Sequence, residues 1–362
     1  MPHTADKPLF YITLALLGAG FLILASASVA LAQKNFGSIG YYVLRQLLYG
    51  GLIGIPVLLL FSRIPYRVWR KLAVPLMLIS FLLLALLFIP DLSFSYGGAR
   101  RWIKLGGFTF QPSEILKFSF IAYLASWLTA RRQDLTSISY GLLPFATMLS
   151  IVGMFLIMQP DIGTLGVVVA SAGILYFLGG GRISQIITLG VFGLSALYFL
   201  IQMAPYRIAR VLVFLNPSLD PQGIGYHITQ ASIAIGSGGF WGMGFGRGIQ
   251  KYSYLPEPLG DSIFAIFTEE LGFIGSVALI CLFALLLWRG ILIAKRAPDT
   301  FGKLLAAGLS VEITVQAFIN MAAISGLLPL TGIPLPFISY GGTSLVMTLA
   351  SIGVLLNISK HT

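Results

Sequence analysis

Ten separate stretches of this chain stay apolar for about 20 residues each, the length that a hydrocarbon core about 30 Å thick demands of a helix. They run from about 9 to 31, 43 to 61, 72 to 90, 114 to 130, 141 to 158, 162 to 179, 184 to 203, 263 to 288, 304 to 325 and 343 to 358. None alternates apolar and polar residues as a barrel strand does, and 57% of the 362 residues are hydrophobic against 10% charged. The expected fold is all-α: a polytopic membrane bundle forming one integral domain over 1–362, with lipid as its first partner. The longest connection, 204 to 262, is expected to be a large loop outside the membrane between spans seven and eight.

Basic residues set the expected orientation. Arg63, Arg67, Arg70, Lys71, Arg131, Arg132, Arg182, Arg289, Lys295, Arg296 and Lys303 all fall on one side of a ten-span chain, which the positive-inside tendency makes cytoplasmic. Both termini are then cytoplasmic too. Val29-Ala30-Leu31-Ala32 before Gln33 could pass for a signal-peptidase site, but the preceding apolar run is too long for a usual signal core, so a retained span is expected. The lone Cys281 allows no intramolecular disulfide, and the three histidines, His3, His227 and His361, are scattered, so no Cys/His metal cluster is present. The net charge of +11 follows in part from topology. With no basic stripe interleaved with aromatics, nucleic acid is set aside as a partner.

Some cations break the topological rule. The short connection GGARRWIKLGGFTFQPSE places Arg100, Arg101 and Lys104 on the outer side, where few are expected. The large loop adds Arg207, Arg210, Arg247 and Lys251, which are read either as anion-binding groups or as plain solvated charges. Fixed cations at that surface suit a phosphate or pyrophosphate head group. In the same loop IGSGGFWGMGFGRG could turn backbone N–H groups toward an anion, or could be a re-entrant segment in which Trp241, Met243 and Phe245 dip into lipid. It is not a dinucleotide fingerprint.

Carboxylates within apolar spans are costly and are expected to face the bundle interior, paired. Glu114 and Lys117, three apart on one helix face, read as an ion pair or as part of an outward-opening polar cavity, with Asp161 at the same depth. Glu269 and Glu270 lie in the eighth span. Glu312, Gln316 and Asn320 recur every four residues, a polar stripe best read as interhelical hydrogen bonding. Asp261, at the mouth of the eighth span after the stiff Pro256-Glu257-Pro258 segment, reads equally as a helix N-cap or as a general base.

Five ordered motifs carry a family resemblance: GARRWIKLGGFTFQPSEILK (98 to 117), QPDIGT (159 to 164), GYHITQASIAIGSGGFWGMGFG (225 to 246), YLPEPLGDSIFAIFTEELGFIG (254 to 275) and GLLPLTGIPLPFISYGGTS (326 to 344). Together they resemble the SEDS family (shape, elongation, division and sporulation), which polymerises bacterial peptidoglycan, and the resemblance covers essentially the whole chain. QKYSYLPEP and the closing GIPLPFISYGGTS are more similar to the division member, FtsW, than to the elongation member, RodA. The resemblance implies lipid II as substrate, a class B penicillin-binding transpeptidase and other division or elongation proteins as partners, and a site on the outer face of the bacterial cytoplasmic membrane. It implies Asp261 as the catalytic residue, Glu114, Lys117 and Asp161 as polar cavity residues, and Arg100, Arg101 and Lys104 within a matching loop. The family commonly reads LPE-x-HTD; Leu259 and Gly260 stand here in place of the histidine and threonine, so any part played by that histidine falls to another group.

Polymerisation requires a sugar hydroxyl to attack an anomeric carbon and expel undecaprenyl pyrophosphate, a leaving group that needs cations more than a strong acid. Asp261 is the candidate base, and Glu257 a positioning or ion-pairing residue held extended between prolines. No cofactor is indicated with certainty, and a divalent cation beside the pyrophosphate stays open. A two-carboxylate glycoside hydrolase fits less well, because that chemistry needs a protonated acid for a poor leaving group. A RodA-like elongation polymerase, a flippase for lipid-linked precursors and a division scaffold are the other readings.

Overall fold

The computed structural model describes residues 5–89, 92–96, 99–105, 108–202, 205–252 and 254–361. Among them are twelve helices, which we number in chain order: α1 (Lys7–Phe36), α2 (Tyr41–Phe61), α3 (Arg67–Leu86), α4 (Pro112–Ala130), α5 (Ile138–Met158), α6 (Ile162–Gly179), α7 (Ile183–Gln202), α8 (Pro205–Leu215), α9 (Ile224–Ser237), α10 (Ile263–Arg296), α11 (Thr300–Ile324) and α12 (Gly342–Ser359). The ten expected spans are α1 to α7 and α10 to α12. Eight of these are long and apolar enough to cross a membrane; the other two are α4, which carries Glu114 and Lys117, and α7.

Local chemistry starts and stops these helices. Asp6, Asp161 and Asp299 are N-caps of α1, α6 and α11, each accepting a backbone N–H, and Pro112 opens α4 where its missing donor costs nothing. α2 passes through a π-helical turn, Gln46–Gly51, a device that re-aims side chains without ending the helix.

α11 and α12 are buried along most of their length, whereas α1, α2, α3, α5 and α10 leave more than half of theirs outside the interior. In lipid, close packing rather than the hydrophobic effect holds helices together, and small residues permit it. At Gly290 of α10 a Cβ would stand 1.8 Å from Ser310 Oγ of α11. The polar stripe on α11 ties helices together as its spacing predicts. Glu312 and Gln316 reach Lys117 of α4, while Asn320 donates to the carbonyls of Asp261 and Ile333 at 2.9 and 2.8 Å.

Two features were not expected. The connection between α3 and α4 folds into an antiparallel sheet, β1 (Ser93–Tyr96), β2 (Ala99–Leu105) and β3 (Phe108–Phe110), in strand order β1-β2-β3 with Ile103 paired to Ser93 and Phe110. And α10, which runs on to Arg296 rather than ending near 288, is broken at Gly272 (φ 67°, ψ −164°).

The glycine-rich run fills that break. Phe273 and Ile274 N–H donate to the carbonyls of Gly239 and Phe240 at 2.9 and 3.3 Å, and Met243 and Gly244 N–H donate to those of Glu269 and Glu270 at 3.0 and 3.1 Å. A Cβ on Gly272 would lie 2.3 Å from the Gly242 nitrogen, so the approach is backbone on backbone. Irregular backbone at membrane depth survives only where protein satisfies it, and here two irregular segments satisfy each other.

The helix ends sort into two faces. One gathers Asp6, Ser62, Tyr66, Arg289, Asp299 and Asn357: Arg289 pairs with Asp6, Asp6 N–H donates to Ser359 Oγ at 3.0 Å, and the Tyr66 hydroxyl donates to Asp299 at 2.6 Å. The opposite face holds the sheet, Asp161, α8, α9 and the segment leading into α10.

Candidate functional site

The centre of that second face is the segment Tyr254–Ser262. Pro256 and Pro258 do not hold Glu257 extended as expected: its φ is +48°, and its carbonyl accepts N–H from Gly260 at 3.1 Å and Ser262 at 3.4 Å. The segment is a turn, not a strut, and the Glu257 side chain is exposed at its rim. Three straps fix Leu259, Gly260 and Asp261. Tyr340 N–H donates to the Leu259 carbonyl at 2.8 Å, Ser339 Oγ to that of Gly260 at 2.6 Å, and Asn320 to that of Asp261. Thus the closing GIPLPFISYGGTS motif and the α11 stripe act on the same three residues.

Asp261 is not the helix cap. Ser262 occupies the N-cap position of α10, and its side chain makes no cap hydrogen bond. The carboxylate is half-buried, with Ser262 Oγ 3.4 Å from its Oδ1. Burial first, and then the neighbouring Glu257 charge, push its pKa up to about 7. A carboxylate balanced at that value takes a proton far more readily than an ordinary aspartate does.

Arg101 faces it. A Cβ placed on Gly332, whose φ is +70°, would lie 3.8 Å from Arg101 Nη1 and 3.9 Å from Asp261 Oδ2, so the guanidinium and the carboxylate flank one glycine. Arg101 comes from β2 and is oriented by a hydrogen bond to the Pro160 carbonyl and by Asp161 Oδ1, 3.9 Å from its Nε. Asp161 in turn caps α6 through Thr164 N–H at 3.3 Å, accepts Thr164 Oγ1 at 2.9 Å and lies 3.4 Å from Ser113 Oγ, next to Glu114. Arg100 and Lys104, on the same strand, are exposed. Of the three cations on this strand, Arg101 is the one placed beside the candidate base.

Other expected site residues fall elsewhere. Glu114 and Lys117 do not line an open cavity: Lys117 Nζ is 3.0 Å from Glu114 and 3.3 Å from Glu312, all three side chains are nearly inaccessible, and the cavity beside them measures about 10 Å³, too small for more than a water. Two carboxylates around one ammonium close the space that a sugar would need. Lys251 is likewise buried, with its three donors taken by Glu270 at 2.7 Å, Ser26 at 2.8 Å and the Gly246 carbonyl at 2.8 Å. It locks α1, α10 and the glycine-rich run together and has no donor left for an outside anion. That run does aim N–H groups at anions, but they are this chain's own: Gly246 N–H meets Glu270, and those of Ile249 and Gln250 meet Glu269. Phe240, Trp241 and Phe245 point outward from it. The side chains of Arg207 and Arg210, on α8, lie outside the described residues.

Arg45, hidden at the head of an apolar span, escaped the sequence reading. Its guanidinium lies 5.3 and 5.4 Å from the ring centres of Tyr41 and Tyr49. The adjacent Gln46 accepts Gly341 N–H at 3.1 Å and donates to the Ser339 carbonyl at 3.3 Å, on the loop that straps Asp261. A tyrosine-flanked Arg-Gln pair inside an apolar run was the available signal. Among the described residues no group of three His, Cys, Asp or Glu side chains could hold a metal ion.

Residues 7–362 match the model of the cell cycle protein family of FtsW, RodA and SpoVE. The chain is 43% identical over 356 residues to stage V sporulation protein E of Bacillus subtilis (strain 168), covering 98% of this chain and 97% of that protein. It is 41% identical over 354 residues to a protein of Trichlorobacter lovleyi named "Probable peptidoglycan glycosyltransferase FtsW", covering 98% and 93%. In structure it is similar to a chain described under "Structural coordination of polymerization and crosslinking by a peptidoglycan synthase complex", at TM-score 0.82 and 30% identity over 98% of this chain and 97% of that one. It is also similar to Thermus thermophilus rod shape determining protein RodA, at TM-score 0.73 and 28% identity over 99% and 97%.

Proposed function

The chain belongs to the cell cycle protein family of FtsW, RodA and SpoVE, and from that premise we propose that it is a peptidoglycan glycosyltransferase polymerising lipid II in septal wall synthesis. The observation that carries the mechanism is the Asp261 carboxylate, set near neutrality and facing Arg101 across Gly332. An acceptor sugar hydroxyl placed there gives its proton to Asp261 as its oxygen bonds the donor's anomeric carbon. The bond from that carbon to undecaprenyl pyrophosphate breaks with inversion, and the pyrophosphate leaves with both electrons. Arg101 stabilises the departing charge, and Arg100 and Lys104, exposed on the same strand, add positive charge to that surface.

The basic ends of α3, α4, α10 and α11 lie on the other face, which supports cytoplasmic termini and an extracytoplasmic site in the bacterial inner membrane. A class B penicillin-binding transpeptidase is the partner that would cross-link the product. The experiment is polymerisation of lipid II by the purified protein with and without that partner.

One observation favours transport instead: a broken span beside buried carboxylates is a transporter's arrangement. Here the break is filled by the chain's own backbone and the polar cavity admits no substrate. Translocation of lipid II in liposomes with no polymer formed would favour the transport reading. Normal growth with Asp261 and Arg101 both replaced would favour a scaffold.

A further inference from the structure

His227, in the first turn of α9, brings its Nε2 to 2.6 Å from Ser262 Oγ; the same hydroxyl lies 2.8 Å from the Pro256 carbonyl and 3.4 Å from Asp261 Oδ1. Resting on the reading of Asp261 as base, we propose that His227 is a positioning residue that orients the Asp261 carboxylate through the Ser262 hydroxyl.

Ser262 has one hydroxyl proton and three acceptors within reach. If Nε2 of His227 is bare, it takes that proton over the shortest contact, and both the Pro256 carbonyl and Asp261 go without. If Nε2 carries the proton, it donates into Oγ and leaves the single hydroxyl proton to the Pro256 carbonyl at 2.8 Å, with a weaker, bifurcated share to Asp261 Oδ1 at 3.4 Å, so that more of the polar groups are satisfied. The structure assigns the Nε2–H tautomer on that ground. A donor feeding a donor also strengthens the second hydrogen bond.

Energetics decide between positioning and relay. Burial lowers the His227 pKa to about 4, so the ring is neutral at any pH near 7, whereas Asp261 sits at about 7. A proton taken from the sugar hydroxyl stays on Asp261, because passing it to His227 runs uphill. The other groups around the carboxylate are Glu257 on its own turn, Arg101 from β2 with Asp161 behind it, Asn320 from α11, and Ser339 and Tyr340 from the closing loop. Leu259, two residues before Asp261, is buried and offers no polar side-chain atom.

The test is the pH profile of lipid II polymerisation by the full-length protein with its partner. His227→Phe keeps the ring and removes the donor. Losing part of a hydrogen bond to a carboxylate raises the Asp261 pKa, so the acid limb should move up by about 0.3 to 1 pH unit with KM unchanged. His227→Gln, whose amide restores an N–H, should move it back. Ser262→Ala should shift it at least as far, and the double variant no further, since both act through one hydroxyl. An unshifted limb in His227→Phe, or shifts that add, would overturn the proposal. Nitrogen-15 spectra of the unaltered protein give a second reading, and an Nδ1–H tautomer would also overturn it. Asp261→Asn run in parallel separates the two claims: an active Asp261→Asn sinks the base itself, whereas an inactive one beside an unshifted His227→Phe sinks only the role of His227.

Discussion

Replacing Lys251 by Met should destabilise the protein strongly, and the reason is local. The pair with Glu270 is 1% and 0% exposed, so water screens none of it. Removing one partner of a buried pair costs about 3–5 kcal/mol, because the other is left charged and dry. Glu270 would keep the Ser26 hydroxyl at 2.6 Å and the Gly246 N–H at 3.0 Å, which puts the cost at the lower end, about 3 kcal/mol. At roughly 2 °C per kcal/mol for a chain of this size, the melting midpoint in detergent falls by about 6 °C. Lys251→Met with Glu270→Gln removes the orphaned charge and should recover about two thirds of the loss. Polymerisation should fall with the single change, because the pair clamps the loop that fills the break in α10. A single variant melting with the parent, or a double variant no better than the single, would refute the reasoning.

Three further outcomes are expected, two at the site and one in the run that fills the break in α10. Glu257→Gln removes a charge that raises the Asp261 pKa, so the acid limb of the activity profile should move to lower pH; no movement would mean the two carboxylates do not interact. Arg101→Lys keeps charge but loses the fork that spans Pro160, Asp161 and the site, and should cut kcat/KM by about tenfold or more, measured on lipid II. Gly242→Ala, at φ +83° and with its new Cβ 2.2 Å from the Glu270 carbonyl, should lower the melting midpoint as Lys251→Met does.

The helical polytopic class and the α11 stripe were legible because membrane length and helical period leave few alternatives: eight of the ten expected spans are long and apolar enough to cross a membrane, and Glu312, Gln316 and Asn320 could only face one way. The break at Gly272 was not, since its hydrogen bonds come from residues some thirty positions earlier, and a glycine inside an apolar run reads as ordinary helix. Lys251 and Glu270 were each visible as an anomaly, one a loop cation and one a span carboxylate; only the tertiary fold pairs them. Conversely, Glu114 and Lys117 were correctly seen as a pair, but a third partner, Glu312, turns an expected opening into a sealed cluster. Asp261 stood between cap and base in the sequence; the fold gives the cap position to Ser262 and sets Arg101 across Gly332, and the base role is the proposal that follows from it.

The most direct test of that last assignment is the rate of lipid II polymerisation by the purified protein with its partner, comparing the parent and Asp261→Asn from pH 5 to 9. A base held near 7 predicts a parent rate that rises as pH passes through about 7 and then levels, and an Asp261→Asn variant that folds but makes no polymer at any pH. Polymer from Asp261→Asn at the parent rate would contradict the account.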